Sequence, residues 1–136
     1  MRTVCTVLLA AVAITAASQT YAARRGIPAP DRTINLPGDR TVQQVRNAIL
    51  NSAVRRKFAI ESKSDGVIIL SYPLNPGKFQ ARFEVKYDSY HVTMHLKESS
   101  GLDQGPCFEE PEKTCIHPNV SRWMNNHMTD IQSMLR

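Results

Sequence analysis

The sequence predicts an α+β domain: a four-stranded antiparallel meander with an N-terminal and a C-terminal helix on one face, in the order α-β-β-β-β-α. Three observations predict it. Apolar residues recur at helical spacing after Thr41 and again after Pro118, and apolar–polar alternation fills the chain between them. Short turn-forming segments separate the alternating runs, and such short connections require antiparallel neighbours. A sheet with one apolar face and two amphipathic helices buries most apolar surface when both helices cover that face.

The elements follow in order. Thr41-Val42-Gln43-Gln44 has the form of a capping box, with a hydroxyl for the N3 amide and a glutamine that reaches back. Val42, Val45, Ala48, Ile49 and Ala53 then recur at helical spacing, which predicts a first helix ending near Arg55. Phe58 and Ile60 alternate with Lys57, Ala59 and Glu61 up to a turn at Ser64-Asp65-Gly66. Val67 to Leu74 reads as a strand, apolar on both faces near its start, and Asn75-Pro76-Gly77-Lys78 as the next turn. Phe79, Ala81, Phe83, Val85 and Tyr87 alternate with Gln80, Arg82, Glu84 and Lys86. Beyond a turn at Asp88-Ser89, Tyr90, Val92, Met94 and Leu96 alternate with His91, Thr93, His95 and Lys97, giving two half-buried strands. Pro118 suits a first helical turn, and Val120, Trp123, Met124, Met128, Ile131, Met134 and Leu135 form one apolar stripe behind it.

The 136 residues suffice for one ordinary domain, residues 41–136, once the start of the chain is set aside. Arg2, the uncharged apolar run from Val4 to Ala17 and the small residues of Thr20-Tyr21-Ala22 have the layout of a signal peptide cleaved near Ala22. The run is shorter than the roughly 20 residues that span a bilayer. Cys5 lies at the start of the apolar run and not after it, so it is discarded with the signal and cannot be a lipid-attachment site. Residues 23–40 hold Pro28, Pro30, Pro37, Gly26 and Gly38 and read as an extended leader. The expected destination is the periplasm or the medium.

Cys107 and Cys115 remain as an even pair, which in an oxidising compartment predicts a disulfide. A metal would need further ligands; no other cysteine is available to complete a site, and His117 alone is a thin supplement. The closed loop contributes about 2–3 kcal/mol by restricting the unfolded chain. Formal net charge is +5, which suits an anionic envelope polymer or lipid head groups and does not by itself argue nucleic-acid binding. Its two clusters, Arg24-Arg25 and Arg55-Arg56-Lys57, read as solvated surface.

Candidate sites are few. Arg82, Lys86, His91, His95 and Lys97 share the sheet face turned away from the helices, opposed mainly by Glu84 and joined by Val67 and Ile69. Such a cationic, partly aliphatic face suits an anionic or amphiphilic partner. His91 and His95 lie four residues apart on one strand, roughly 13 Å, too far to share a metal. His117, between the cysteine loop and the last helix, is placed to cap that helix or bond Glu98, and Trp123 to pack in the core. Ser99 and Ser100 lack a glycine-flanked nucleophile elbow, so no catalytic residue is assigned, and neither metal nor cofactor is expected.

Several of these residues carry a resemblance. Ala81-Arg82-Phe83-Glu84-Val85-Lys86-Tyr87-Asp88 leads to Glu98-Ser99-Ser100-Gly101-Leu102, then Ile116-His117, then Ser121-Arg122-Trp123 and Asn126. Over about residues 41–135 this resembles a family of small bacterial envelope proteins, commonly described as lipoproteins and without an assigned activity. Their pattern is Asp-Ser-x-x-Leu, Ile-His, Asn-x-Trp and a later Asn. Here Glu98 stands for Asp, Ser121 for Asn, the cysteine loop is extra, and the lipid-attachment site is missing. The resemblance implies an envelope location and the same layout, and supplies no reaction. The expected function is a non-enzymatic binding module for an envelope protein or an anionic polymer. A secreted inhibitor or host-directed factor, similar in layout to cystatin-like inhibitors, comes second, and a small hydrolase third.

The exported protein should resist thiol alkylation until it is reduced. Addition of two alkyl groups to non-reduced protein, read by intact mass, would show that Cys107 and Cys115 are unpaired.

Overall fold

The computed structural model describes residues 26–29 and 31–136; the expected signal segment, its cleavage point near Ala22 and Cys5 lie outside them. The described residues form two helices and eight strands, so the α+β class stands.

Helix α1 (Val42–Arg55) starts at the anticipated box: the Gln44 amide donates to Thr41 Oγ1 at 3.1 Å, and the Thr41 amide to Gln44 Oε1 at 2.9 Å. Two of the four orphan amides of a helix start are thereby satisfied. Its end is equally defined. The Phe58 amide donates to Ala53 O (2.9 Å) and the Lys57 amide to Val54 O (3.2 Å), with Lys57 left-handed at φ 60°. This is a Schellman closure, and both residues of its apolar contact, Ala53 and Phe58, are buried.

Strands β2 (Arg32–Asn35), β3 (Ala59–Ser64), β4 (Val67–Tyr72), β5 (Gln80–Tyr87) and β6 (His91–Ser100) form one antiparallel sheet in the order β2-β6-β5-β4-β3. Strands β1 (Ile27–Pro28), β7 (Gly105–Pro106) and β8 (Thr114–Ile116) form a second, ordered β1-β8-β7, before α2 (Pro118–Met134). The expected four-stranded sheet is therefore corrected to five strands, four of them the consecutive meander, with a small sheet beside it. The expected leader is corrected too, since residues 27–28 and 32–35 are strands. The physical reason is shared: β2 pairs with a strand about sixty residues away, Thr33 facing Thr93 and Ile34 facing Val92, so no hairpin turn announces it. Pro28 sits within β1 and Pro37 follows β2 without harm because both are edge strands, which leave amides unpaired.

Two bulges also escape the alternation. Arg82 faces Glu98 while Phe83 faces Leu96, leaving Lys97 extra on β6; Ile60 faces Leu70 while Ser62 faces Ile69, leaving Glu61 extra on β3. The covered face of the sheet presents Ile68, Leu70, Phe83, Val85, Val92 and Met94 to Val45 and Ile49 of α1 and to Val120, Met124 and Ile131 of α2, all buried in one core.

A polar contact joins the helices inside that core. Ser52 Oγ lies 2.8 Å from His127 Nδ1, and neither residue is exposed. His127 Nε2 is buried with no hydrogen-bond partner among the described residues. Burial lowers the His127 pKa from 6.5 to about 4, with Asp130 opposing the shift and Arg56 adding to it. The unfolded chain therefore takes up this proton near pH 6.5 and the folded chain only near 4. The group leaves stability unchanged above about pH 6.5, lowers it as pH falls from 6.5 to 4, and adds no further loss below 4, up to roughly 3 kcal/mol in all. Urea denaturation across this window should show the decline in the wild-type chain and a flatter profile in His127→Asn; parallel profiles would remove His127 as the cause.

Candidate functional site

The open face of the five-stranded sheet holds the anticipated residues: Arg82, Lys86, His91, His95 and Lys97 alternate outward from a buried set. Val67 and Ile69 are half-buried beside them. Its charge balance differs from expectation. Arg82 Nε lies 2.7 Å from Glu61 Oε2 and Arg82 Nη1 lies 2.6 Å from Glu98 Oε1. Glu84 lies between Lys86 (3.5 Å) and Lys97 (3.7 Å). His95 Nδ1 meets Asp31 at 2.6 Å, and His91 Nδ1 lies 3.4 Å from Asp88. Asp88 accepts the amides of Tyr90 and His91, and these bonds hold its carboxyl below the usual range.

The expectation that mainly Glu84 opposes these cations is thus corrected. The bulges turn Glu61 and Glu98 onto Arg82, and the unforeseen strand β2 brings Asp31 to His95. Exposed pairs of this kind add little stability, but they cancel the field an anionic partner would feel.

His117 is the N-cap of α2, its Nδ1 accepting the Asn119 amide at 3.2 Å, whereas Glu98 is taken by Arg82. Cys107 and Cys115 are bonded (S–S 2.06 Å) and buried, closing the turn between β7 and β8. Around this hairpin lies a wide hollow of about 540 Å³ lined by Gly26, Pro28, both cysteines, Phe108, Glu109 and Glu110. Its charged lining is acidic, with Glu110 held 2.6 Å from Lys113.

A smaller pocket, about 250 Å³, opens where α1 ends against α2 and β4, lined by Arg55, Arg56, Lys57, Phe58, Tyr72, Trp123 and Asn126. The Schellman turn builds it by burying Phe58 and leaving three successive cations around the helix end. The negative end of the α1 dipole favours cations there. Arg56 crosses to α2, where its Nε and Nη2 donate to Asp130 Oδ2 (2.7 Å) and Oδ1 (2.9 Å). This fork holds the Asp130 carboxyl below its ordinary range. The Arg55 and Lys57 side chains are exposed and form no hydrogen bond or salt bridge among the described residues, although the charge of Arg55 also helps to hold the Asp130 carboxyl low.

Aromatic rings make the other wall. Tyr72 and Trp123 have centroids 4.4 Å apart, Tyr72 lies 5.2 Å from Phe58, and Trp123 stacks on Phe79 at 5.6 Å. Trp123 is only partly buried, so it serves the core and the pocket wall together. Asn126, three residues on, shares its helix face. The sequence places Arg55-Arg56-Lys57 on solvated surface and Trp123 in the core; only the left-handed turn at Lys57 brings them together. The Trp123 and Asn126 spacing is the one local signal that points here.

Among the described residues no group of three His, Cys, Asp or Glu side chains could hold a metal ion, and no helix is long and apolar enough to cross a membrane. No protein-family model and no curated protein matches the chain.

Because Trp123 is half-buried, Trp123→Ala should cost about 2–3 kcal/mol, below the roughly 3–5 kcal/mol of a fully buried large aromatic. Denaturant unfolding measures it, and an unchanged midpoint would mean that the Tyr72 and Phe79 contacts contribute nothing to the core.

Proposed function

We propose that this chain is an exported, non-catalytic binding protein that holds an anionic partner in the pocket at the end of α1. The observation that supports it is the meeting of three consecutive cations, Arg55, Arg56 and Lys57, with an aromatic wall and a single neutralising carboxylate, Asp130. Cationic side chains set in a concavity with low-dielectric walls concentrate field and attract anions. The open sheet face carries comparable cations, but each has a carboxylate beside it.

A binding role also fits the reactive side chains. His117 Nδ1 caps a helix, His127 Nδ1 is held by Ser52, and Ser99 Oγ donates to Gln104 at 2.5 Å. Each is occupied structurally, and the one hydroxyl–imidazole pair among them, Ser52 with His127, is fully buried, away from any substrate. Export accords with the signal-like start of the sequence and with the Cys107–Cys115 bond, a link that persists in oxidising compartments. The partner is an anionic envelope polymer or head group.

Heparin serves as a generic polyanion probe. Arg55→Glu combined with Lys57→Glu should weaken its binding by about tenfold or more, a change of about 1.4 kcal/mol or more. Arg82→Glu combined with Lys86→Glu should leave it nearly unchanged. Wild-type binding should weaken as salt shortens the screening length from about 10 Å at 0.1 M to about 3 Å at 1 M. Equal losses from both double variants, or a loss only from the sheet-face pair, would move the site off the end of α1.

A further inference from the structure

Resting on the anion-binding reading of this pocket, we infer that the group it selects is a phosphate monoester, carried by a sugar or a lipid head group. Three features carry the step from anion to phosphate monoester. The first is charge. Asp130 offsets one of the three cations, leaving a surplus of two at the pocket mouth. A phosphate monoester bears a charge of about −1.5 to −2 at pH 7, whereas a carboxylate, a sulfate ester or a phosphodiester bears one negative charge. Only the monoester balances the surplus.

The second feature is shape. Arg56 has its fork committed to Asp130, so it is fixed in place and acts on a ligand through its field. Arg55 and Lys57 stand two residues apart on either side of it, around a closing helix turn. A guanidinium offers a planar fork and an ammonium a compact point charge. A tetrahedral group with three terminal oxygens meets both from different directions; a planar carboxylate satisfies one at a time. Lys57 also holds its cation at φ 60°, a conformation in which glycine is the low-cost residue.

The third feature is size and lining. About 250 Å³ falls below the roughly 300–1,000 Å³ of pockets that enclose a whole small molecule, so this one takes a terminal group of something larger. Tyr72 and Trp123 are engaged by neighbouring rings, and the edge of an aromatic ring carries positive potential. Asn126, whose side chain forms no hydrogen bond among the described residues, offers a donor and an acceptor to hydroxyls beside the phosphate.

Trp123 is the only tryptophan of the chain and lines the pocket, so its fluorescence reports occupancy directly. The full exported chain is titrated at pH 7.5 with glucose 6-phosphate, glucose 6-sulfate and glucuronate. The phosphate should bind about tenfold tighter than either monoanion. That preference should fade towards pH 5, because the monoester loses its second charge near pH 6. The protein's own groups facing the pocket are Arg55 of α1, Arg56 and Lys57 just beyond its end, Tyr72 of β4 and Asp130 and His127 of α2. The Arg56 fork holds the Asp130 carboxyl below its ordinary range, and His127, buried behind Phe58, protonates only near pH 4, below this interval.

Lys57→Gly removes the cation and suits the left-handed backbone, so it should fold at least as stably as wild type and bind glucose 6-phosphate about tenfold more weakly. Wild-type affinity in this variant would overturn the inference. Phosphatidylcholine vesicles doped with phosphatidic acid, a monoester, are compared with vesicles doped with phosphatidylglycerol, a diester. Selective binding to the former assigns a lipid source, and binding of glucose 6-phosphate alone assigns a soluble sugar phosphate. Equal affinity for all three sugar anions, or for both lipids, would refute the monoester while leaving the anion-binding function intact. No fluorescence response to any anion, together with heparin binding unaffected by the Arg55 and Lys57 reversals, would end both readings.

Discussion

Phe58 stands where α1 stops and β3 begins, and its ring reaches Tyr72 of β4 at 5.2 Å, Phe83 of β5 at 5.9 Å and His127 of α2 at 5.2 Å. Burying that ring ties both helices to the middle of the sheet. It also requires the backbone to reverse sharply after Arg55, and the left-handed Lys57 is the residue that makes the reversal. The orientation of the cationic triplet, the place of the aromatic wall and the dry surroundings of His127 all follow from one side chain. An aromatic of this size in a core contributes more than most other single contacts, so a pocket built against it inherits a rigid floor.

The molecule handles charge in two contrasting ways. On the sheet face, neighbouring side chains carry opposite signs, and the bulges at Glu61 and Lys97 tighten the matching by turning Glu61 towards Arg82 and Lys97 towards Glu84. At the end of α1 the matching stops at one pair. Arg56 and Asp130 stabilise the junction of the two helices, and the cations on either side of Arg56 keep their fields. An evenly neutralised face favours solubility and disfavours adhesion, whereas a concave, partly neutralised corner does the reverse.

What was legible in the sequence was local. The Thr41 capping box, the end of α1 near Arg55, the alternation from Phe79 to Leu96, the cysteine pair and the Pro118 helix start each depend on residues within a few positions of one another, and all are present. What was hidden depends on pairing across long separations. Thr33 meets Thr93, Asp31 meets His95, and Arg82 meets both Glu61 and Glu98. Register decides such contacts, and a one-residue bulge alters the register without a mark in composition. The pocket was illegible for a related reason: Arg55, Tyr72 and Trp123 share no window, and only the folded helix end brings them together.

Strand β2 has one more consequence. It lies along His91–Met94 of β6, and its Arg32 reaches over to α2, with Nε 2.6 Å from Asn125 Oδ1 and Nη2 2.5 Å from Ser121 Oγ. Four residues thereby stitch a sheet margin to a helix. A protease that clipped the chain just before Thr41 would leave the meander and both helices whole. It would nevertheless bare the amides and carbonyls of β6, the longest strand of the fold, and a bared strand of that length recruits a matching one from a second molecule. The segment ahead of the first helix thus supplies little of the core beyond Leu36, yet it covers a sheet edge that would otherwise be open to pairing.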